Sequence, residues 1–455
     1  MAGGTYNSQN KMLPGAWVNV RTTQDTASTN TGERGVVFTA LTDLGWGENG
    51  LVNITAGSDI LSKLGVDLDS PKITGLRMVL GNAKKALVFN ANSGTKATGI
   101  SDNLPFDISA KYNGKRGNDI TVTVSPDSNN ATNFTVETLL GTKLVDKQRI
   151  SKVSDYQANS FVEFAIKGSA QSDDGVSALA KLTNPVSVKL SGGDNTKSLS
   201  LVEDISNAIE TSDFNTIVAA DSADNSPLHA VFVSAAERLR DEQGKKVQAV
   251  VPDKANTKSD YEGVIVVGNS IVMSNGTELT QSQSAGFVAG ASAAALPNES
   301  LTYRQINGAK DVSPRLNDDD SVDAISQGKL IFTASRGTVK VLQDINSLHT
   351  FSDGKGHDFA KNRSLRVLDA IANTVRITWE DSFIGKVTNN ADGRDLFKSV
   401  LVNYLTTLQN MNAIQSFKPD DVVVNATENK DSVSVDVAVT TTDSLEKMYM
   451  TITSR

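Results

Sequence analysis

The sequence predicts a multidomain protein of mixed α/β and α+β class. Three observations predict it. A chain of 455 residues has room for about three domains, and at least two, each able to bury its own core. Strand and helix patterns alternate over 35–100 and again from Leu199 onward, as in sheets layered with helices. Residues 101–195 instead carry strand signals about ten residues apart, separated by polar turns, which is the pattern of a β-sandwich or small barrel.

Residues 1–15 are small and polar and close on Pro14-Gly15. AWVNV (Ala16, Trp17, Val18, Asn19, Val20) then reads as a short strand, followed by the Thr/Ser/Asn-rich tether RTTQDTASTNTG. GVVFTAL predicts a buried strand. SDILSKLG predicts a short helix capped by Ser58 and stopped by Gly65. Residues 76–83 predict a helix and 85–92 a strand. In the next block, DISAKYNGKRGNDITVTVSP gives two strands around a Gly-rich turn. NFTVETLLG, KLVDKQRI, FVEFAIKG and VSVKLSGG give four more, and SGGDNTKS closes the block as a linker.

SLVEDISNAI then predicts a helix, TIVAA a buried strand, PLHAVFVSAAERLRDEQG a long helix, and KVQAVVP and GVIVVGN two strands. TQSQSAGFVAGASAAAL predicts a helix ended by Pro297. This order implies a largely parallel sheet with helices on its faces. KLIFTASRG and TVKVLQDI read as a hairpin. Two amphipathic helices follow, then strands over 420–425 and 432–440 with a strict Val433, Val435, Val437, Val439 alternation. In the terminal EKMYMTITSR, Met448, Met450 and Ile452 fall on one side, and Tyr449, Thr451 and Thr453 on the other. That is a strand with no later strand in the chain to pair with.

The expected organisation is therefore an N-terminal arm and linker (1–34) and a discontinuous α/β body (35–100 and 196–350). To these are added an inserted β-sandwich (101–195), a C-terminal α+β domain (351–445) and a C-terminal arm (446–455).

Composition narrows the function classes. There is no cysteine, which excludes disulfides, thiolate metal sites and cysteine nucleophiles. The formal charge of −8 argues against a nucleic-acid binder. No stretch has the roughly 20 apolar residues of a membrane span, and MAGGTYNSQNKML lacks the features of a secretory signal. No cofactor is expected.

Possible sites read as structure. GWGENG matches G-x-G-x-x-G, but a strand-like LVNIT follows where the fingerprint needs a helix N-terminus. GGDNTKS has Thr196 where a phosphate loop has glycine. His229 reads as a packed core residue. His349 and His357 lack a metal-ligand spacing. Asp318–Asp320 read as a solvated turn or helix start. The small residues Gly286, Ala289, Gly290 and Ala293 let a helix lie close against a sheet. This helix is similar to the one following the nucleophile in subtilisin-like proteases, with Ser282 near the nucleophile position. No His-Gly-Thr-His segment lies upstream, so a subtilisin-like body would lack the triad.

Several stretches together resemble the tail sheath protein of contractile phage tails and R-type bacteriocins, in the form found in phages of Gram-positive bacteria. They are LPGAWVNV with GVVFTALTDLGWGENG, AKYNGKRGNDITVTV, SAGFVAGASAAALPNESLTYRQINGAKDV, GKLIFTASRGTVKVLQDINSLHTF, and RVLDAIANTVRITWEDSFIGKVTNNADGRDLFKSVLVNYLTTLQ. They lie in the family's order across nearly the whole chain.

The resemblance implies a subunit of stacked hexameric rings around a tail tube, with baseplate and tail terminator proteins as further partners, and a location in the virion after assembly in the host cytoplasm. It implies that the strands Ala16–Val20 and Met448–Thr453 are donated to neighbouring copies. It also implies that the C-terminal domain faces the tube, for which Lys361, Arg363, Arg366 and Arg376 are candidates. The alternatives are the sheath of a headless bacteriocin, another particle protein, a hydrolase using Ser282 or the Asp318–Asp320 cluster, and a sandwich-based adhesin.

Overall fold

A computed structural model describes residues 33–128, 130–196, 198–257 and 259–454, with the short strands Ala2–Gly4 and Gly15–Trp17. The chain divides into two compact units. One comprises 33–372 with 441–455, the other 1–32 with 373–440.

The larger unit is built on a seven-stranded sheet. Its order is Lys329–Leu330, Val264–Val267, Gln248–Pro252, Thr216–Val218, Val36–Leu41, Lys85–Asn90, Gly50–Ile54. Every neighbouring pair is parallel except the last, where Gly50–Ile54 runs antiparallel to Lys85–Asn90. Parallel strands joined by helical crossovers are covered on both faces, so they read as continuous apolar runs. Val36–Leu41 is buried along its whole length. Val37 and Leu41 face one core with Leu76, Val79, Phe287 and Val288. Val36, Phe38 and Ala40 face another with Ile205, Ile209, Phe232 and Leu239.

The helix Gln281–Ala294 begins with a capping box, Thr280 bonding the Gln283 N–H and Gln283 bonding back. Its glycines are needed for an approach that differs from the expected one. A Cβ on Gly290 would stand 2.4 Å from the Val79 carbonyl, and one on Gly286 2.8 Å from the Gly75 carbonyl. The close contact is therefore with the helix Thr74–Leu80 rather than with the sheet alone. The short helix Ile60–Leu64 is capped by Asp59, not Ser58, because the Asp59 carboxylate accepts from the Ser62 N–H. Gly65 ends it in the left-handed region, as expected.

The inserted block is a β-sandwich. One sheet orders Lys143–Ile150, Asn130–Leu140, Ile120–Asp127 and Val186–Lys189, and the other Val162–Ile166, Phe106–Asn113 and Lys96–Gly99. The two strands flanking the Gly-rich KRGND segment lie in different sheets, so that segment is an inter-sheet crossing and not a hairpin turn. The closing segment is not a loose linker either. It pairs with the outgoing chain through Thr95–Asp194 and Thr98–Ser191 bridges.

The insertion shares its core with the body. Trp46, on the body side, is fully buried among Ile108, Ile120, Val136 and Phe161 of the sandwich. Its indole N–H donates to Ser62 O at 3.0 Å. The amides of Asn90 and Asn92 hold the loop around it, donating to the carbonyls of Trp46, Gly47 and Glu48.

In the smaller unit, the helix Ala391–Asn410 packs on the hairpin Val422–Ala426/Val433–Val437. Trp379, Phe383 and Phe397 form a three-ring cluster there, with centroids 4.7 to 5.6 Å apart. The valines at 433, 435 and 437 are half-buried while Ser434 and Asp436 are exposed. The alternation therefore has an inner side, but a two-stranded sheet cannot cover it fully.

Candidate functional site

The catalytic readings can be judged from geometry. Ser282 sits in the first turn of the helix Gln281–Ala294, and its Oγ donates to Asp224 Oδ1 at 2.9 Å. A histidine does reach it: His229 Nε2 lies 3.3 Å from Ser282 Oγ. The Asp224, His229, Ser282 order is that of a protease triad, but the protonation is wrong. His229 Nε2 is also 3.0 Å from the carbonyl of Ala223, which can only accept. Nε2 must therefore carry the proton, and it cannot act as base toward Ser282.

Burial also pushes the His229 pKa down, keeping the ring neutral, and Nδ1 is buried without a partner. Asp224 serves the serine instead of orienting the imidazole. Burial alone would raise its pKa. The hydrogen bonds from Ser282 and the charge of Lys254 nevertheless hold it below the usual carboxylate value. Ser282 and His229 are both fully buried, so no substrate could reach them. The cluster is a core hydrogen-bond network.

The other motifs resolve similarly. In GWGENG, Gly45, Gly47 and Gly50 all have positive φ, and a Cβ on Gly47 would lie 2.1 Å from Lys63 O. The strand Gly50–Ile54 follows it, so no helix N-terminus faces the loop. In GGDNTKS, Gly193 N–H and the Asn195 side chain bond Asn118 and Lys115, tying the sandwich exit to its entry. Asp318–Asp320 form the exposed first turn of the helix Asp318–Ser326, where carboxylates oppose the positive end of the helix dipole. His349 bonds Ser347 O and Asp260, and the His357 ring lies tilted against Phe351, with planes 41° apart. Among the described residues there is no cluster of three His, Asp or Glu able to hold a metal. Among them, too, no helix is long and apolar enough to cross a membrane.

The four cations do not form one open helix face. Lys361 precedes the helix Asn362–Ser382 and pairs with Glu446 and Asp443. Arg363 donates to Asn298 O and to Thr442. Arg366 is 5% exposed and binds Glu299 O, Ser292 and the buried carboxylate of Asp344. Arg376 pairs with Glu380 one turn along the helix. The sequence showed their helical spacing but not the partners of Lys361, Arg363 and Arg366, which come from 280–345 and 440–446.

The two arm segments behave differently. Gly15–Trp17 pairs in parallel with Ala2–Gly4, which places Ala16 and Trp17 in a three-residue strand. Val18, Asn19 and Val20 lie outside the described residues. At the other end, Met448, Tyr449, Met450, Thr451, Ile452 and Thr453 form no strand and pair with no strand among the described residues. Their side chains are exposed, Met448 and Ile452 at 81% each. Just before them, Glu446 is held. Thr302 Oγ1 donates to it at 2.8 Å and Gln343 Nε2 at 3.0 Å, and Lys361 forms an ion pair with it.

Comparison with known proteins gives consistent matches. The family model of the phage tail sheath protein beta-sandwich domain matches residues 92–195, that of the central domain 198–347, and that of the C-terminal domain 354–455. The chain is 34% identical over 472 residues to the phage-like element PBSX protein XkdK of Bacillus subtilis, covering 99% of each. It superposes on the crystal structure of the sheath tail protein from Desulfitobacterium hafniense with a TM-score of 0.79 and 36% identity, over 96% of this chain and 99% of that one. The helical sheath of the anti-feeding prophage in its contracted state shares the fold, with a TM-score of 0.56 and 12% identity over 97% and 99% of the two chains.

Proposed function

This chain belongs to the phage tail sheath protein family, and from that premise we propose how it works as the tail sheath protein of a contractile injection system. Copies polymerise as stacked hexameric rings around a tail tube. Contraction of the stack drives the tube through a cell envelope. The single observation that carries this reading is the exposed segment Met448–Thr453, which pairs with no strand among the described residues and carries apolar side chains on alternate residues.

Such a segment adds as a strand to an open sheet edge of another copy, where main-chain hydrogen bonds supply the affinity. The hairpin Val422–Ala426/Val433–Val437 is a fitting acceptor, because a two-stranded sheet gains stability from further strands. Each ladder bond contributes about 1 kcal/mol net. Ala16–Val20 is the second donated strand. The pairing repeats through every subunit and persists while the bodies rotate. The extended sheath is metastable, and contraction lowers its free energy by adding contacts between subunits, with no nucleotide consumed.

The five-part division of the chain (1–34, 35–100 with 196–350, 101–195, 351–445, 446–455) belongs to the same proposal. So do the subtilisin-like ancestry of the body, the absence of enzymatic activity, the baseplate and tail terminator as partners, and a virion location after assembly in the host cytoplasm. A headless bacteriocin sheath would differ in the particle it serves, not in this chemistry.

Electron microscopy of the purified chain tests the reading. Hollow tubes are expected. Deleting residues 446–455 should leave a folded chain, with a single cooperative circular dichroism melt, that forms none. Normal tubes from that truncation would overturn the arm assignment.

A further inference from the structure

We propose that Glu446 is a fixed post from which the C-terminal arm leaves the body without slack. The inference rests on the sheath reading for its consequence but not for its geometry. The carboxylate is mostly buried, with 11% of its side chain exposed, and three of its contacts reach distant stretches of the larger unit. Oε1 accepts from Thr302 Oγ1 at 2.8 Å, and Oε2 from Gln343 Nε2 at 3.0 Å and from the Lys361 ammonium. Ser444 Oγ adds a local bond at 3.2 Å.

Two further contacts tie down the approach. Asp443 lies 3.6 Å from Lys361, and Thr442 accepts from Arg363 at 3.3 Å. Three of the five residues Thr442–Glu446 thus hold cations or polar groups of the body. Leu445 among them, and residues 447–454, are exposed. A carboxylate with three converging donors is a site that an unanchored tail would not maintain, because a buried charge without partners is costly.

The consequence is a distance constraint. Met448 is two residues past Glu446, and a residue spans at most about 3.6 Å, so the first paired residue of the arm lies within roughly 7 Å of the post. The acceptor edge of the neighbouring copy, one strand spacing of about 5 Å beyond that residue, must stay close to Glu446 in every state of the sheath. The C-terminal joint is therefore a short rigid hinge, and sliding between copies must be absorbed at other joints. The cations assigned to the tube by spacing, Lys361 and Arg363, hold this post.

The absence of native cysteine allows a clean test. Nitroxide labels are placed at Leu445→Cys and at Ile452→Cys of the unassembled full chain, and their mobility is read by electron paramagnetic resonance. Label 445 is expected to show a slow component and label 452 a fast spectrum. Glu446→Ala and, independently, Lys361→Met should convert label 445 to the fast spectrum, while the thermal melt keeps a single cooperative transition. Glu446→Gln, which can still accept from Thr302, should retain part of the slow component.

Equal mobility of the two labels in the parent chain, or a slow label 445 that survives both Glu446→Ala and Lys361→Met, overturns the post. Microscopy of the same samples separates the two readings. Failure of the parent chain to form tubes counts against the sheath assembly and leaves the mobility result standing.

Discussion

The indole of Trp46 stacks on the ring of Phe161, with centroids 5.8 Å apart and planes 24° from parallel. The two residues belong to different layers. Trp46 follows the first strand of the body sheet, and Phe161 precedes a strand of the inserted sandwich. Tyr112 closes the other side edge-on at 5.4 Å. One side chain thus joins two cores. Trp46→Ala should cost about 3–5 kcal/mol by removing apolar contact and leaving a cavity. Trp46→Phe should cost less. Urea melts followed by circular dichroism measure both, and a loss below about 1 kcal/mol for the alanine variant would show the junction to be loose.

Arg240 and Asp369 form a bidentate pair at 2.7 and 2.9 Å in which the arginine side chain is only 2% exposed. Burial opposes the charged form of Arg240, but Asp369 more than compensates and raises its pKa. Asp369→Ala would leave an uncompensated buried cation and should destabilise by about 3–5 kcal/mol. Arg240→Met with Asp369→Leu should recover most of that. A double variant as unstable as the single one would contradict the charge argument.

Asp221 accepts from Gly75 N–H at 2.6 Å and Leu76 N–H at 2.7 Å, at the start of the helix Thr74–Leu80. Burial outweighs these bonds and pushes its pKa up to about 6. The folded chain therefore holds this proton more tightly than the unfolded chain, whose carboxyl titrates near 4. The stabilising contribution is complete below about pH 4 and is lost as pH rises to 6, amounting to roughly 2–3 kcal/mol. Asp221→Asn should flatten that part of the stability curve. A parent and variant with parallel curves between pH 4 and 7 would refute it.

The arginines of the helix Asn362–Ser382 should separate by burial. Arg366→Ala takes the paired cation from the buried Asp344 carboxylate, which keeps only hydrogen bonds, and should cost about 3 kcal/mol or more. Arg376→Ala removes an exposed i,i+4 pair and should change stability by less than about 0.5 kcal/mol. If Arg376 meets the tube, Arg376→Glu should weaken co-sedimentation of sheath with tube and leave the melt intact. Unchanged co-sedimentation would remove it as a candidate.

Much of the fold was legible in the sequence, because periodicity is local. Val36–Leu41 reads as a doubly buried strand from its own composition, and Gly65 as a helix stop from its own backbone freedom. The family was legible for a related reason: its segments are ordered structural signatures spread along the chain. The site was less legible. Spacing put four cations on or beside one helix, but the groups that bind Lys361, Arg363 and Arg366 lie about 20 to 85 residues away.

The sequence by itself determined the strand and helix content, the sandwich insertion, the absence of thiol chemistry and the apolar alternation of Met448–Ile452. Only the tertiary structure decided four other matters. Trp46 fills the sandwich core, and Gly286 and Gly290 meet a helix. The strands either side of KRGND part into two sheets, and Glu446 pins the arm. The reason is physical. Local pattern reports which face of an element is apolar, whereas the partner that covers it is chosen by packing between residues distant in the chain, where no periodicity reaches.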